Sequence, residues 1–98
     1  MGKYDVILSA AAQNDFLGVL EYYNSFSPED AKQHYDQFME KAEILRTAPD
    51  SCPHARDTQL RLCGYRTLNV MKNVFFFIIK GNSVLVRRIL FADHQYYG

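Results

Sequence analysis

Basic and aromatic residues gather in the C-terminal part of this chain. Arg61 and Arg66 precede a long apolar run, Arg87 and Arg88 are adjacent in a β-branched segment, and His94, Tyr96 and Tyr97 follow it. Guanidinium groups can stabilise charge developing on phosphorus, and histidine or tyrosine can give or take the proton. The chemistry these types suggest is phosphodiester cleavage. Tyr96 and Tyr97 could also stack on the bases of single-stranded RNA. A plainer role competes in each case: a tail histidine is often a solvated surface group, and a tyrosine pair can simply close the fold. No phosphate loop, HExxH, GxSxG or dinucleotide fingerprint occurs. Paired catalytic carboxylates are not expected, because the second half holds only Asp57 and Asp93. Cys52 and Cys63 have neither CxxC spacing nor a paired histidine and read as free thiols. No metal site and no cofactor are expected.

The charges are unevenly placed. The formal net charge is zero. Residues 1–50 carry nine acids and four bases, a net of −5, whereas residues 51–98 carry seven bases and two acids, a net of +5. Such asymmetry points to a basic working surface on one side of the fold, or to two halves that attract each other. With 98 residues, 48% of them apolar, and seven Phe and seven Tyr, the chain reads as one globular domain over residues 1–98 rather than a disordered segment. Its longest apolar run, Val74–Ile79, is far short of the roughly 20 residues that span a bilayer. No secretory leader is expected from the first residues, and a cytoplasmic location is.

These side chains need elements to position them. Tyr4–Leu8 is short and β-prone. Ser9 is a good N-cap, and Ala12, Phe16, Val19, Leu20 and Tyr23 recur at helical spacing, which predicts a helix over residues 10–24. Ser27-Pro28-Glu29-Asp30 predicts a second helix start, because serine caps, proline suits the first turn and acids face the positive end of the dipole. That helix should run to about Thr47, burying Ala31, Tyr35, Phe38, Ala42 and Leu45. Two amphipathic helices joined by so short a link must fold back as an antiparallel hairpin. Residues 48–63 have no clean period and read as a loop packed over an edge. Gly64–Val70, Val74–Lys80 and Ser83–Phe91 read as three strands, with turns at Met71-Lys72-Asn73 and Gly81-Asn82.

The order β-α-α-β-β-β predicts an α+β fold, with the helical hairpin packed on one face of a mostly antiparallel sheet. Strand alternation puts Arg66 on the face of Leu68 and Val70 and sends Arg87 and Arg88 to opposite faces. One arginine of that pair should then meet an acid of the hairpin. The other would join Arg66 and Arg61 on a basic concave surface.

Taken together, the chain resembles the RelE/ParE superfamily of type II toxin–antitoxin toxins. The resemblance covers about residues 3–96. It lies in the element order and in Tyr4–Ser9 followed by Ala12 and Asp15-Phe16, in Tyr22-Tyr23, and in Ser27–Ala31. Leu45 with Pro49, Gly64–Leu68, Lys72-Asn73 and Val86–Leu90 complete it. The resemblance implies a growth-arresting toxin neutralised by an antitoxin whose disordered segment folds on it. Either a homodimer or a toxin–antitoxin hetero-oligomer would then be the assembly.

RelE-like members of the superfamily cleave mRNA on the ribosome without metal, whereas ParE-like members inhibit DNA gyrase without catalysis. On the first reading, which makes the chain an mRNA interferase, Arg66 and Arg88 match the family's phosphate-stabilising arginines. His94 falls at the acid–base position and Tyr96 at the C-terminal aromatic, while Arg61, Arg87 and Tyr97 would contact the RNA. On the second reading these residues carry no reaction. Phe77 where the nucleases often have tyrosine, Asp93 after the last strand and the neutral net charge motivate it.

Overall fold

The computed structural model describes residues 3–92. The chain forms β1 (Asp5–Leu8), α1 (Ala10–Asn24), α2 (Pro28–Thr47), a single 3-10 turn at Pro49–Ser51, α3 (Thr58–Leu62), β2 (Arg66–Val70), β3 (Asn73–Lys80) and β4 (Ser83–Phe91). The helical hairpin and the three C-terminal strands stand where the sequence puts them. The segment read as a loop contains the 3-10 turn and α3, a helix too short to show a period of its own.

Local chemistry sets the helix boundaries. Ser9 Oγ accepts the amide of Ala12 at 3.0 Å, and Ser27 Oγ accepts that of Asp30 at 3.1 Å, so each helix begins at a side-chain cap. Pro28 occupies the first turn of α2, where its missing N–H costs nothing, and Glu29 and Asp30 face the positive end of the dipole. Asp57 caps α3 by accepting the Leu60 amide at 3.0 Å.

The sheet order is β1-β4-β3-β2. β2, β3 and β4 form an antiparallel meander, and β1 lies parallel beside β4, with Val6 opposite Val84 and Leu8 opposite Val86. Gly81 turns the β3–β4 hairpin at φ +61°, a conformation glycine adopts freely. The turn between β2 and β3 places Met71 at φ +57°, which a residue with a Cβ adopts at a cost. The outer edge of β2 is covered by the preceding loop: the Thr67 amide donates to the Pro53 carbonyl at 3.0 Å, and the Ala55 amide to the Tyr65 carbonyl at 2.9 Å. Covering an edge in this way removes a template for unwanted strand pairing.

The core lies between the hairpin and one face of the sheet. Ala12, Val19, Phe38 and Leu45 of the helices meet Val70, Phe75, Phe77, Val84, Val86 and Ile89 of the strands. Phe38 stands edge-on to Phe75 with ring centroids 5.2 Å apart, and tilts against Phe16 at 5.3 Å. The inward face of α2 differs from the expected stripe at one position. His34 is buried, whereas Tyr35 is 44% exposed. His34 can be buried because its ring stacks on Tyr23 at 3.5 Å and its Nδ1 donates to the Asp30 carbonyl at 2.9 Å.

Candidate functional site: an arginine-walled cleft on the open sheet face

The face of the sheet away from the hairpin carries two adjoining clefts. The smaller, of about 170 Å³, is lined by Leu60, Tyr65, Phe76, Arg87, Arg88 and Leu90. The larger, of about 400 Å³, shares Leu60 and Phe76 with it and extends over His54, Arg56, Thr67 and Asn69. Strand register explains the membership. Thr67 is opposite Phe76, which is opposite Arg88, so these three alternate with the core positions and point the other way. α3 supplies Leu60 from above, and the loop before it supplies His54 and Arg56.

A β-bulge brings Arg87 and Arg88 together. Phe76 pairs with Arg88 and Phe77 with Val86, so Arg87 is the extra residue in β4. Simple alternation sends the two arginines to opposite faces. The extra residue breaks the alternation, and both line the smaller cleft. The expectation of opposite faces is corrected accordingly.

The same region shows how Arg88 is held. β1 ends opposite Val86, and the first turns of α1 take over the edge of β4 beyond that point. The Ser9 amide donates to the Val86 carbonyl at 2.9 Å, Ser9 Oγ donates to the Arg87 carbonyl at 2.8 Å, and Asp15 Oδ2 accepts the Ile89 amide at 2.9 Å. The Asp15 carboxylate also takes two bonds from Arg88, at 2.7 Å from Nε and 3.1 Å from Nη2. An acid of the hairpin therefore does meet one of the arginines. Burial alone would raise the Asp15 carboxyl, but the bonds from Arg88 and the Ile89 amide, with the charge of Arg88, outweigh it and hold the group below its ordinary value. Arg88 is pushed up by its bond to Asp15 and by that carboxylate's charge.

Arg66 lies elsewhere. It is opposite Phe77, on the face that the helices cover, as the alternation with Leu68 and Val70 predicts. Its Nη1 donates to the carbonyl oxygens of Cys52 at 2.6 Å and Asp50 at 3.2 Å, tying the 3-10 turn to β2. Arg66 and Arg88 are thus on opposite faces, and each guanidinium has partners. Arg61 is exposed on α3, where its Nη1 donates to the Arg56 carbonyl at 3.2 Å. Cys52 is buried and Cys63 exposed, both as free thiols, and burial pushes the Cys52 thiol up against the charge of Arg66. His94, Tyr96 and Tyr97 lie outside the described residues.

Several members of the cleft have no sequence signal. Tyr65, Leu60 and Leu90 look like ordinary core residues and Arg56 and His54 like loop residues, while Asp15, which holds Arg88 without lining the cleft, looks like a solvated helix acid. Thr67 and Asn69 could have been found, because they are the odd partners of Arg66 and Leu68 in a strand that covers one face only. The described part of this face offers arginine cations at its walls and apolar contact at its floor.

A helical hairpin on one face of a meander, with an N-terminal strand added in parallel, is a ParE-like fold. The model of the family described as ParE toxin of type II toxin-antitoxin system, parDE, matches residues 6–96, and the chain belongs to that family. The solved structure of a chromosomal ParDE TA system from P. aeruginosa contains a chain similar in fold, with a TM-score of 0.77 at 18% identity, covering 95% of this chain and 100% of that one. A search of curated proteins gives no match at a significant level. No helix among the described residues is long and apolar enough to cross a membrane.

Proposed function

We infer that this toxin acts by binding and not by cutting: it arrests growth as a non-enzymatic inhibitor of DNA gyrase and is neutralised by its cognate antitoxin. The observation that carries this reading is the separation of Arg66 from Arg88. Cleavage of a phosphodiester needs cations converging on one phosphorus together with a proton-transfer group. Arg66 instead ties down the carbonyls of Asp50 and Cys52 on the helix side, and Arg88 is held by Asp15 at the edge of β4. A residue engaged in this way supports the fold or a docking surface. The neutral net charge agrees, since affinity for nucleic acid is dominated by phosphate contacts and grows with positive charge. Membership of the ParE family leans the same way.

Two assays on the purified chain decide between the readings. One follows DNA supercoiling by gyrase and the accumulation of gyrase-linked DNA breaks. The other maps new 5′ ends on mRNA in a translating extract. The expected result is inhibited supercoiling with intact transcripts. New ends within translated regions, with gyrase unaffected, would overturn the proposal in favour of ribosome-dependent cleavage.

A further inference from the structure

The backbone around the bulge in β4 is held from α1 at three places. The Ser9 amide donates to the Val86 carbonyl, Ser9 Oγ donates to the Arg87 carbonyl at 2.8 Å, and Asp15 accepts the Ile89 amide. Ser9 Oγ also accepts the Ala12 amide at the start of α1. One hydroxyl thus serves the helix cap and the bulge together. The bulge in β4 puts both arginines on this face, because strict alternation would send one of Arg87 and Arg88 to the core side of the strand.

The guanidinium groups of this region are not equally free. Arg66 is engaged by two carbonyls on the helix side, Arg88 by Asp15, and Arg61 by the Arg56 carbonyl. Arg87 is exposed, and among the described residues its guanidinium has no hydrogen bond or ion pair. Arg56 is exposed as well, but a loop carries it, whereas Arg87 stands on a tethered strand.

We propose that Arg87 is the residue through which this face grips a carboxylate on the surface of gyrase, and that Ser9 positions it by fixing the bulge. The proposal rests on the gyrase reading and names a contact for it.

An extra strand residue interrupts the ladder, and such bulges occur where a side chain has to be re-aimed. Here the re-aimed side chain is a cation on a backbone already fixed before any partner arrives, which lowers the ordering cost of binding. The arginine fork matches carboxylate and phosphate oxygens alike. Affinity for DNA is assembled from many phosphate contacts. A fixed cation beside the aliphatic side chains of Leu60 and Leu90 instead suits one carboxylate in a protein interface, where a desolvated arginine can dominate the binding energy.

The test measures two properties of the full-length toxin: the concentration that half-inhibits supercoiling by gyrase, and binding of labelled toxin to gyrase without DNA. Arg87→Ala should weaken both at least about tenfold at a parental melting temperature, with Arg87→Lys intermediate. Ser9→Asp keeps an acceptor for the α1 cap but has no proton for the Arg87 carbonyl, so inhibition should weaken by about fivefold. Ser9→Thr keeps both bonds and should stay within about twofold of the parent. Ser9→Asp/Arg87→Ala should be no weaker than Arg87→Ala alone, because the serine acts through the arginine. Parental inhibition by Arg87→Ala overturns the proposal. Full additivity in the double variant overturns the positioning role, since Ser9 would then act on the fold at large. An Arg87 effect that appears only when DNA is present overturns the carboxylate in favour of a phosphate. A parental toxin that leaves gyrase untouched overturns the gyrase reading and the proposal together, whereas parental inhibition unaffected by Arg87→Ala removes the proposal alone.

Discussion

Asp15 joins the hairpin to the free edge of β4, and its removal should cost far more than a surface acid usually does. Asp15→Ala deletes the acceptor of the Ile89 amide, a hydrogen bond to a charged group worth about 1.5–3 kcal/mol. It also deletes the two bonds from Arg88. The Arg88 side chain is 50% exposed, so solvent screening limits that ion pair to about 0–1 kcal/mol. Together they give about 1.5–4 kcal/mol, which in a domain of this size lowers the melting temperature by roughly 10 °C or more. Asp15→Asn keeps an acceptor for the amide and loses only the charge, so it should cost about 1 kcal/mol.

Acid adds a second readout for the same residue. The folded carboxyl lies below its unfolded value of about 3.9, so the unfolded chain binds the proton more readily. The stability Asp15 contributes is therefore complete above about pH 4 and is lost as pH falls through the folded value. Thermal unfolding followed by circular dichroism between pH 7 and pH 3 measures both effects. The Asp15→Asn curve should be flatter than the parent's below about pH 4. A melting temperature for Asp15→Ala within about 2 °C of the parent, or identical acid slopes for parent and Asp15→Asn, would refute the reasoning.

Two further outcomes are expected. Phe77 is fully buried between Arg66 in β2 and Val86 in β4, so Phe77→Ala should lose about 3–5 kcal/mol in a urea titration, more than any surface change. Met71 holds φ +57° in a turn and is about half exposed, so Met71→Gly should leave the chain as stable or up to about 1 kcal/mol more stable, whereas Gly81→Val at φ +61° should destabilise it by a similar amount. Matching losses at positions 71 and 81 would show that backbone conformation does not govern these turns.

Much of the fold could be read in the sequence because its signals are local. Serine caps, a proline at the first helical turn and a glycine at a hairpin each act within four residues, and they fix the starts of α1 and α2 and the turn between β3 and β4. The long apolar run of β3 marks the central strand. What escaped reading is long-range. The neighbour of β1 depends on which strand offers a free edge, and only the assembled meander decides that. Burial of His34 in place of Tyr35 depends on a ring brought from α1 and a carbonyl one turn back, neither visible in a hydropathy period. α3 is five residues long, too short to repeat.

The site was least legible at the bulge. Alternation is a sound rule for a regular strand, and it placed Arg66 correctly, because β2 pairs with β3 without interruption. It failed in β4 because a single extra residue shifts everything beyond it relative to the partner strand. No residue in Val86–Ile89 announces that extra member. The cause lies across the sheet edge: Asp15 and Ser9, from the helix that replaces β1 there, take the Ile89 amide and the Arg87 carbonyl on terms that a strand would not offer. The acid-rich hairpin thus shapes the basic face from behind. It secures one arginine and sets the path of the strand that carries the other, so Arg87 projects as an exposed cation beside the apolar floor. Whatever that face binds, its affinity should depend on α1 as well as on the strands, even though α1 lies on the opposite side of the sheet.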